Sequence, residues 1–225
     1  MSTIAYFVFG MLDILAIVSI TLKMYKLPFL KHLTKIITLM VIMTVISYLL
    51  REQWGVPQLD VPLQYVQFVL FFTFFIKQRF HIAAFICAAG YSVFISLQMA
   101  VFLIFNIFGI ADLTVTTDNT GLINFIQAFT EILCFLIALF LWFTRNGFSF
   151  VETTQHQLDK PMFIQGLISG ATLCITLVLL YSGKLLSVIV LVGINFIISY
   201  LLSHKRIDDD SRGAFEAYIE GRCEK

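Results

Sequence analysis

Two acidic side chains lie where hydrocarbon would least tolerate them. Asp13 falls inside the apolar run Ile4 to Leu22, and Glu131 inside GLINFIQAFTEILCFLIALFLWF, Gly121 to Phe143. Asn124, Gln127 and Glu131 recur at i, i+3 and i+7, which sets them on one face of a helix. An ionised carboxylate at a bilayer centre costs roughly 2.5 kcal/mol or more even on lenient scales, so it must meet protein or water, or carry a proton. Two chemistries are open to acids so placed: holding a proton or cation, and accepting hydrogen bonds from a ligand. The amides Gln64, Gln67, Gln98, Asn124 and Gln127 each donate and accept, which suits water or a ligand's peptide groups.

The elements that must position these groups are transmembrane helices. Hydrophobic residues make up 59% of the 225-residue chain, against roughly 45–50% in soluble domains. Charged residues are only 13% and fall between the apolar runs, so the chain reads as one membrane domain rather than a soluble domain with an anchor. A net charge of +1 provides no field to attract nucleic acid. A span needs about 20 apolar residues. Seven runs qualify: Ile4 to Leu22, Ile36 to Leu50, Val61 to Ile76, Phe80 to Ile110, Gly121 to Phe143, Met162 to Tyr181, and Leu185 to Leu202. The second is short and can borrow a turn from the loop before it. The fourth is over-long and must tilt, kink or extend beyond the bilayer, with Gly90 as a weak point. Only Ser182-Gly183-Lys184 separates the last two, which predicts a tight helical hairpin. The N-terminus lacks a basic region and a small-residue cleavage site, so it reads as a first span rather than a removed signal.

The expected fold is therefore all-α, a polytopic bundle of about seven transmembrane helices over residues 1–203, with a short tail over 204–225. The helix holding Glu131 is expected to be its polar spine, with the other spans packed around it. Basic residues fix the orientation. With the N-terminus outside, 13 of the 15 Lys and Arg fall in inner segments and only Arg51 and Lys184 in outer ones. This asymmetry predicts an outside N-terminus and a cytoplasmic C-terminus in a multi-pass cell-membrane protein. Trp54, Trp142, Tyr48 and Tyr181 fall near span ends, where interfacial anchors belong.

At about 1.5 Å per residue, Asp13 and Glu131 both land near the bilayer midplane, as does Asn195. Gln64, Gln67, Gln98, Asn106, Asn124 and Gln127 fall in the outer half. An outward-open polar cavity accounts for this distribution, with Asp13 and Glu131 as its floor. The alternative is that the amides bond neighbouring helices as structural glue, each worth about 0.6–2 kcal/mol.

Other chemistries lack their residues. The four cysteines, Cys87, Cys134, Cys174 and Cys223, include no CxxC pair, so neither a disulfide framework nor a zinc site is indicated. Cys223 is one residue short of a prenylation box. His81 and Cys87, six apart on a helix, point to different faces and make no peptidase pair. The histidines form no metal spacing, no glycine-rich phosphate loop is present, and no lysine is buried in a late span to carry retinal. No enzyme activity, cofactor or metal is expected. In the tail, Asp208-Asp209-Asp210-Ser211 can cap a short helix with Phe215, Tyr218 and Ile219 on one face, lying on the inner leaflet or docking a partner.

The stretch KQRFHIAAFICAAGYSVFISLQMAVFLIFN, Lys77 to Asn106, joins a short basic inner loop to an apolar helix bearing Gly90-Tyr91 and Gln98. It resembles the membrane sensor domains of peptide-pheromone histidine kinases, the accessory-gene-regulator type of Gram-positive bacteria, as does the N-out arrangement of six or seven spans. The likeness is one of texture over Ile4 to Ser203 and brings no kinase residue with it. It implies a sensor-like module that binds a small extracellular ligand, such as a peptide, and acts alone, through a separate histidine kinase, or as a homo-oligomer. The competing expectations are a small proton- or cation-coupled secondary transporter using Asp13 and Glu131, and an accessory subunit of a membrane complex.

Overall fold

A computed structural model describes residues 3–109, 120–144, 147–148, 160–181 and 187–205. Seven helices account for nearly all of them: α1 (Thr3–Met24), α2 (Leu33–Tyr48), α3 (Asp60–Phe74), α4 (Phe80–Ile107), α5 (Thr120–Thr144), α6 (Lys160–Tyr181) and α7 (Ser187–Lys205). Among the described residues, the 5 elements built on α1, α2, α4, α5 and α7 are long and apolar enough to cross a membrane. Their outer faces carry large apolar side chains such as Ile132, Leu136 and Phe140, a surface compatible with lipid and foreign to a water-soluble fold. The segment 110–119 with Asp112 and Asp118, the hairpin Ser182-Gly183-Lys184, and the tail with its Asp208-to-Ser211 cap and Cys223 lie outside the described residues.

The hub is α4, not the Glu131 helix. Between His81 and Ser92 every residue except Ala84 is buried, and α4 packs against α1, α3, α5 and α6. Small residues explain this: Ala83, Ala88, Ala89 and Gly90 keep α4 slim, so neighbouring backbones approach it from all sides. α5 has one polar stripe and only two described partners of substance, α1 and α4, and gives its remaining faces to the exterior. Gly90 likewise departs from the expected kink. α4 runs unbroken through it, and a Cβ there would fall 1.9 Å from Thr21 Oγ1. The glycine permits close α1–α4 contact; Thr21 keeps its hydroxyl satisfied by donating back to the Ile17 carbonyl at 2.6 Å.

The second apolar element is longer than the run Ile36 to Leu50 implies. A 3₁₀ turn, Leu30–His32, leads into α2, and a π turn, Leu49–Gln53, prolongs it, giving an apolar element of 24 residues. Trp54 N–H closes the wide turn on the Leu49 carbonyl at 2.9 Å. Arg51 and Glu52, expected in a loop, are therefore helical. A second 3₁₀ turn, Pro57–Leu59, delivers Asp60 to the head of α3, one residue before its expected start. Trp54 and Trp142 are exposed, and Lys23 Nζ sits 5.5 Å from the Trp142 ring centroid. Tyr48, at the end of α2, packs on the rings of Tyr6 and Phe7.

α1 and α3 end alike. Leu27 N–H bonds the Leu22 carbonyl at 2.8 Å and Gln78 N–H bonds the Phe72 carbonyl at 3.1 Å. The closure places Lys26 at φ 54° and Lys77 at φ 63°, the left-handed position that glycine usually fills. A Cβ is unfavourable there, so Lys77→Gly is expected to be more stable than Lys77→Ala by about 0.5–1 kcal/mol, or about 1–4 °C in Tm for a chain of this size. Equal melting of the two variants in detergent contradicts this reading of the cap.

Candidate ligand cavity

Five helices enclose a partly open cavity of about 340 Å³, at the low end of the roughly 300–1,000 Å³ typical of small-molecule sites. α1 contributes the stripe Tyr6, Phe9, Gly10, Asp13, Ile14 and Ile17, spaced by three and four so that all fall on one helix face. α2 and its π turn add Thr44, Ser47 and Arg51. α3 adds Val61 and Gln64, α4 adds Tyr91, Phe94, Ile95 and Gln98, and α5 adds Asn124 and Gln127. These positions lie toward the N-termini of α1, α3 and α5 and toward the C-termini of α2 and α4. The cavity thus occupies one end of the bundle. From Tyr6 to Ile17 it runs about 16 Å along α1, half of a bilayer core about 30 Å thick. Below Ile17 the Thr21–Gly90 contact and the buried Leu22, Phe85 and Ile86 close the space.

At the rim, Asp60 is fully buried at the head of α3. Its Oδ2 forms an ion pair with Arg51 and accepts from Ser47 Oγ at 3.0 Å, while Oδ1 accepts from Gln64 Nε2 at 3.0 Å. Tyr6 hydroxyl lies 2.8 Å from Ser47 Oγ, and Tyr91 hydroxyl donates to Gln64 Oε1 at 3.4 Å. The Arg51 side chain is 46% exposed, so the pair combines a dry carboxylate with a half-solvated guanidinium. Bonded on both oxygens and paired with one cation, Asp60 is a satisfied group.

The floor is different. Gln127 Nε2 donates to Asp13 Oδ2. Glu131, one turn further along α5, sits with its carboxyl against that of Asp13 and is only 3% exposed. Among the described residues no donor reaches Asp13 Oδ1 or Glu131 Oε1. Two carboxyls in contact bond each other only through a shared proton; otherwise a cation or a donor from outside the protein must serve those oxygens.

Of the residues singled out from sequence, Asp13, Gln64, Gln98, Asn124 and Gln127 line one space. Gln67 does not. Three residues beyond Gln64, it is turned about 60° around α3 and faces a separate groove with Thr34 and Thr38 of the α2 side. Glu131 stands behind Asp13 rather than on the cavity wall. Asn195 belongs to a different polar cluster. It accepts from Gln165 Nε2 at 2.9 Å and Ser169 Oγ at 2.8 Å, and donates to Ser92 Oγ at 2.7 Å. That cluster is closed, buried and hydrogen-bonded across α4, α6 and α7, as interhelical glue should be.

Tyr6, Ser47, Arg51, Asp60 and Tyr91 were not legible as site residues. Charges at the ends of apolar runs read as loop residues, and a hydroxyl on a helix carries no directional signal. The one available hint was Arg51, a lone basic residue in a segment otherwise acidic. Comparison of the chain with known protein families, characterised proteins and solved structures finds no match.

Proposed function

We propose that the chain is a seven-span, multi-pass cell-membrane protein of receptor type, N-terminus outside and C-terminus cytoplasmic, without enzyme activity. It binds a small extracellular ligand, a peptide among the candidates, and passes the signal to a separate partner, a histidine kinase being the kind its sensor-like texture suggests, or to a second copy. One observation carries this reading: five helices bring Asp13, Gln64, Gln98, Asn124 and Gln127 to a single partly open cavity. By the basic-residue asymmetry, that end of the bundle is the outer one. A ligand preferring one helix arrangement shifts the equilibrium between arrangements, and α1 and α4, which wall the cavity and run on to the opposite end, carry the shift.

The adjoining acids Asp13 and Glu131 favour a second reading, a proton- or cation-coupled carrier. A carrier needs access from both ends, and the Thr21–Gly90 contact seals the cavity from below in this state. The receptor reading requires no such path.

Sided chemistry tests the proposal. In a background with all four native cysteines replaced, Asn124→Cys is expected to react with a membrane-impermeant thiol reagent applied to intact cells. Ile132→Cys, on the exposed apolar face of α5, is expected to stay silent. Reaction of Asn124→Cys only in inverted vesicles overturns the orientation; no reaction from either side overturns the hydrated cavity.

A further inference from the structure

We propose that the occupant of this cavity is an organic ammonium, a protonated amine whose charged nitrogen seats at Asp13, with Glu131 behind it. The inference rests on the cavity being a ligand site and names the chemistry of what enters it.

Unless the two carboxyls share a proton, the acceptor inventory points to a donor brought from outside. Glu131 is buried, and neither its Oε1 nor Asp13 Oδ1 has a donor among the described residues. Gln127 serves only the other oxygen of Asp13. An unserved buried acceptor forfeits on the order of 1–3 kcal/mol, and more when charged. An ammonium supplies three N–H donors and the missing positive charge together.

The protein does not supply that charge itself. Among the described residues Arg51 is the only cationic side chain on the cavity wall, and it is spent on Asp60 at the rim. Once that pair is cancelled, Asp13 in its ionised form gives the cavity an acidic interior, which rejects anions and attracts cations.

The walls say what kind of cation. Tyr6, Phe9, Tyr91 and Phe94 present aromatic rings to the space, and Ile14 and Ile17 add aliphatic surface. Aromatic faces attract an organic cation and bury its carbon skeleton. Calcium and magnesium want six or more oxygens at short range, and the described residues hold no cluster of three or more His, Cys, Asp or Glu side chains to bind a metal. The amides Gln98 and Asn124 remain for a hydroxyl or peptide group carried elsewhere on the ligand. A free α-amino terminus of a short peptide has this chemistry, as does a simple aryl-alkyl amine.

The test uses two probes of matched shape, phenethylamine as its hydrochloride and 2-phenylethanol, on the full chain in detergent at constant ionic strength. Binding is read as the concentration-dependent rise in Tm that any native-state ligand produces. The ammonium is expected to act at concentrations lower than the alcohol by about tenfold or more, the equivalent of one charge-assisted hydrogen bond. In Asp13→Asn that preference is expected to vanish while the alcohol's weak effect persists, which shows the variant still folded around its cavity. Equal action of the two probes on the unmodified protein overturns the inference, and so does a preference that survives joint replacement of Asp13 by Asn and Glu131 by Gln. If Asn124→Cys reacts from outside yet the probes act alike, the ammonium is wrong and the cavity stands. If Asn124→Cys is silent from both sides, the cavity reading itself has failed.

Discussion

Replacing Arg51 by Met is expected to lower the Tm of the detergent-solubilised protein by roughly 6–12 °C. Asp60 is fully buried, and Arg51 is its only ion-pair partner among the described residues. Removing the guanidinium leaves a dry carboxylate held by Ser47 and Gln64 alone. Breaking a buried pair from one side costs about 3–5 kcal/mol. The low end applies here because Arg51 is nearly half exposed and its charge is partly screened. At about 2–4 °C per kcal/mol for a chain of this length, the shift is large enough to read directly. The companion variant, Arg51→Met with Asp60→Leu, removes the stranded charge and is expected to recover more than half of the loss. An Arg51→Met protein that melts like the parent contradicts the burial of Asp60, and with it the construction of the rim.

The second large effect belongs to Gly90. A methyl there collides with Thr21 Oγ1 and meets Thr21 Cβ at 3.0 Å, so Thr21 must rotate off its bond to Ile17 or α1 and α4 must move apart. Overpacking of this kind costs about 1–3 kcal/mol, occasionally more, and Gly90→Ala is expected near the upper bound, although alanine is the better helix former by about 1 kcal/mol. Thr21→Ala removes the closest atom but not the Cβ, so the double variant is expected to recover about half of the loss. The double-mutant cycle should then give a coupling energy of about 1 kcal/mol or more. Additive losses contradict direct contact between the two residues. The pair also lies just below Ile17, where the cavity ends, so the same cycle probes the seal that separates a receptor's cavity from a carrier's path.

How far the sequence discloses this arrangement depends on the kind of signal each residue carries. Apolar runs locate the helices well, because length and hydropathy suffice for a bilayer span. They fail at α2, where the π turn extends the helix through Arg51 and Glu52: charged residues look like loop whatever the backbone does. Spacing put Asn124, Gln127 and Glu131 on one face, and depth put Glu131 level with Asp13 and the two amides above them; the observed Gln127–Asp13 bond joins two helices through that face. Spacing could not separate Gln64 from Gln67, because a 60° difference around α3 decides which groove each faces. Nor could it identify the hub. A polar helix draws attention in an apolar chain, yet helices in a membrane pack through small residues and close contact, so the organising helix is the one with Ala83, Ala88, Ala89 and Gly90. Glu131 was expected in the cavity floor beside Asp13 and stands one layer behind it, where its influence on an occupant passes through Asp13.

The stripe of α1 that faces the cavity offers the most direct test. In a background without native cysteines, single cysteines placed along α1 are exposed to a membrane-impermeant thiol reagent from outside. Reaction is expected at Phe9→Cys, Ile14→Cys and Ile17→Cys, which line the space, and none at Val8→Cys, on the exposed apolar face. Silence is also expected at Thr21→Cys, below the seal. A profile with that helical period and that abrupt end is what a hydrated, outward-facing cavity predicts. Uniform silence along the stripe, or reaction that continues past Thr21, contradicts it.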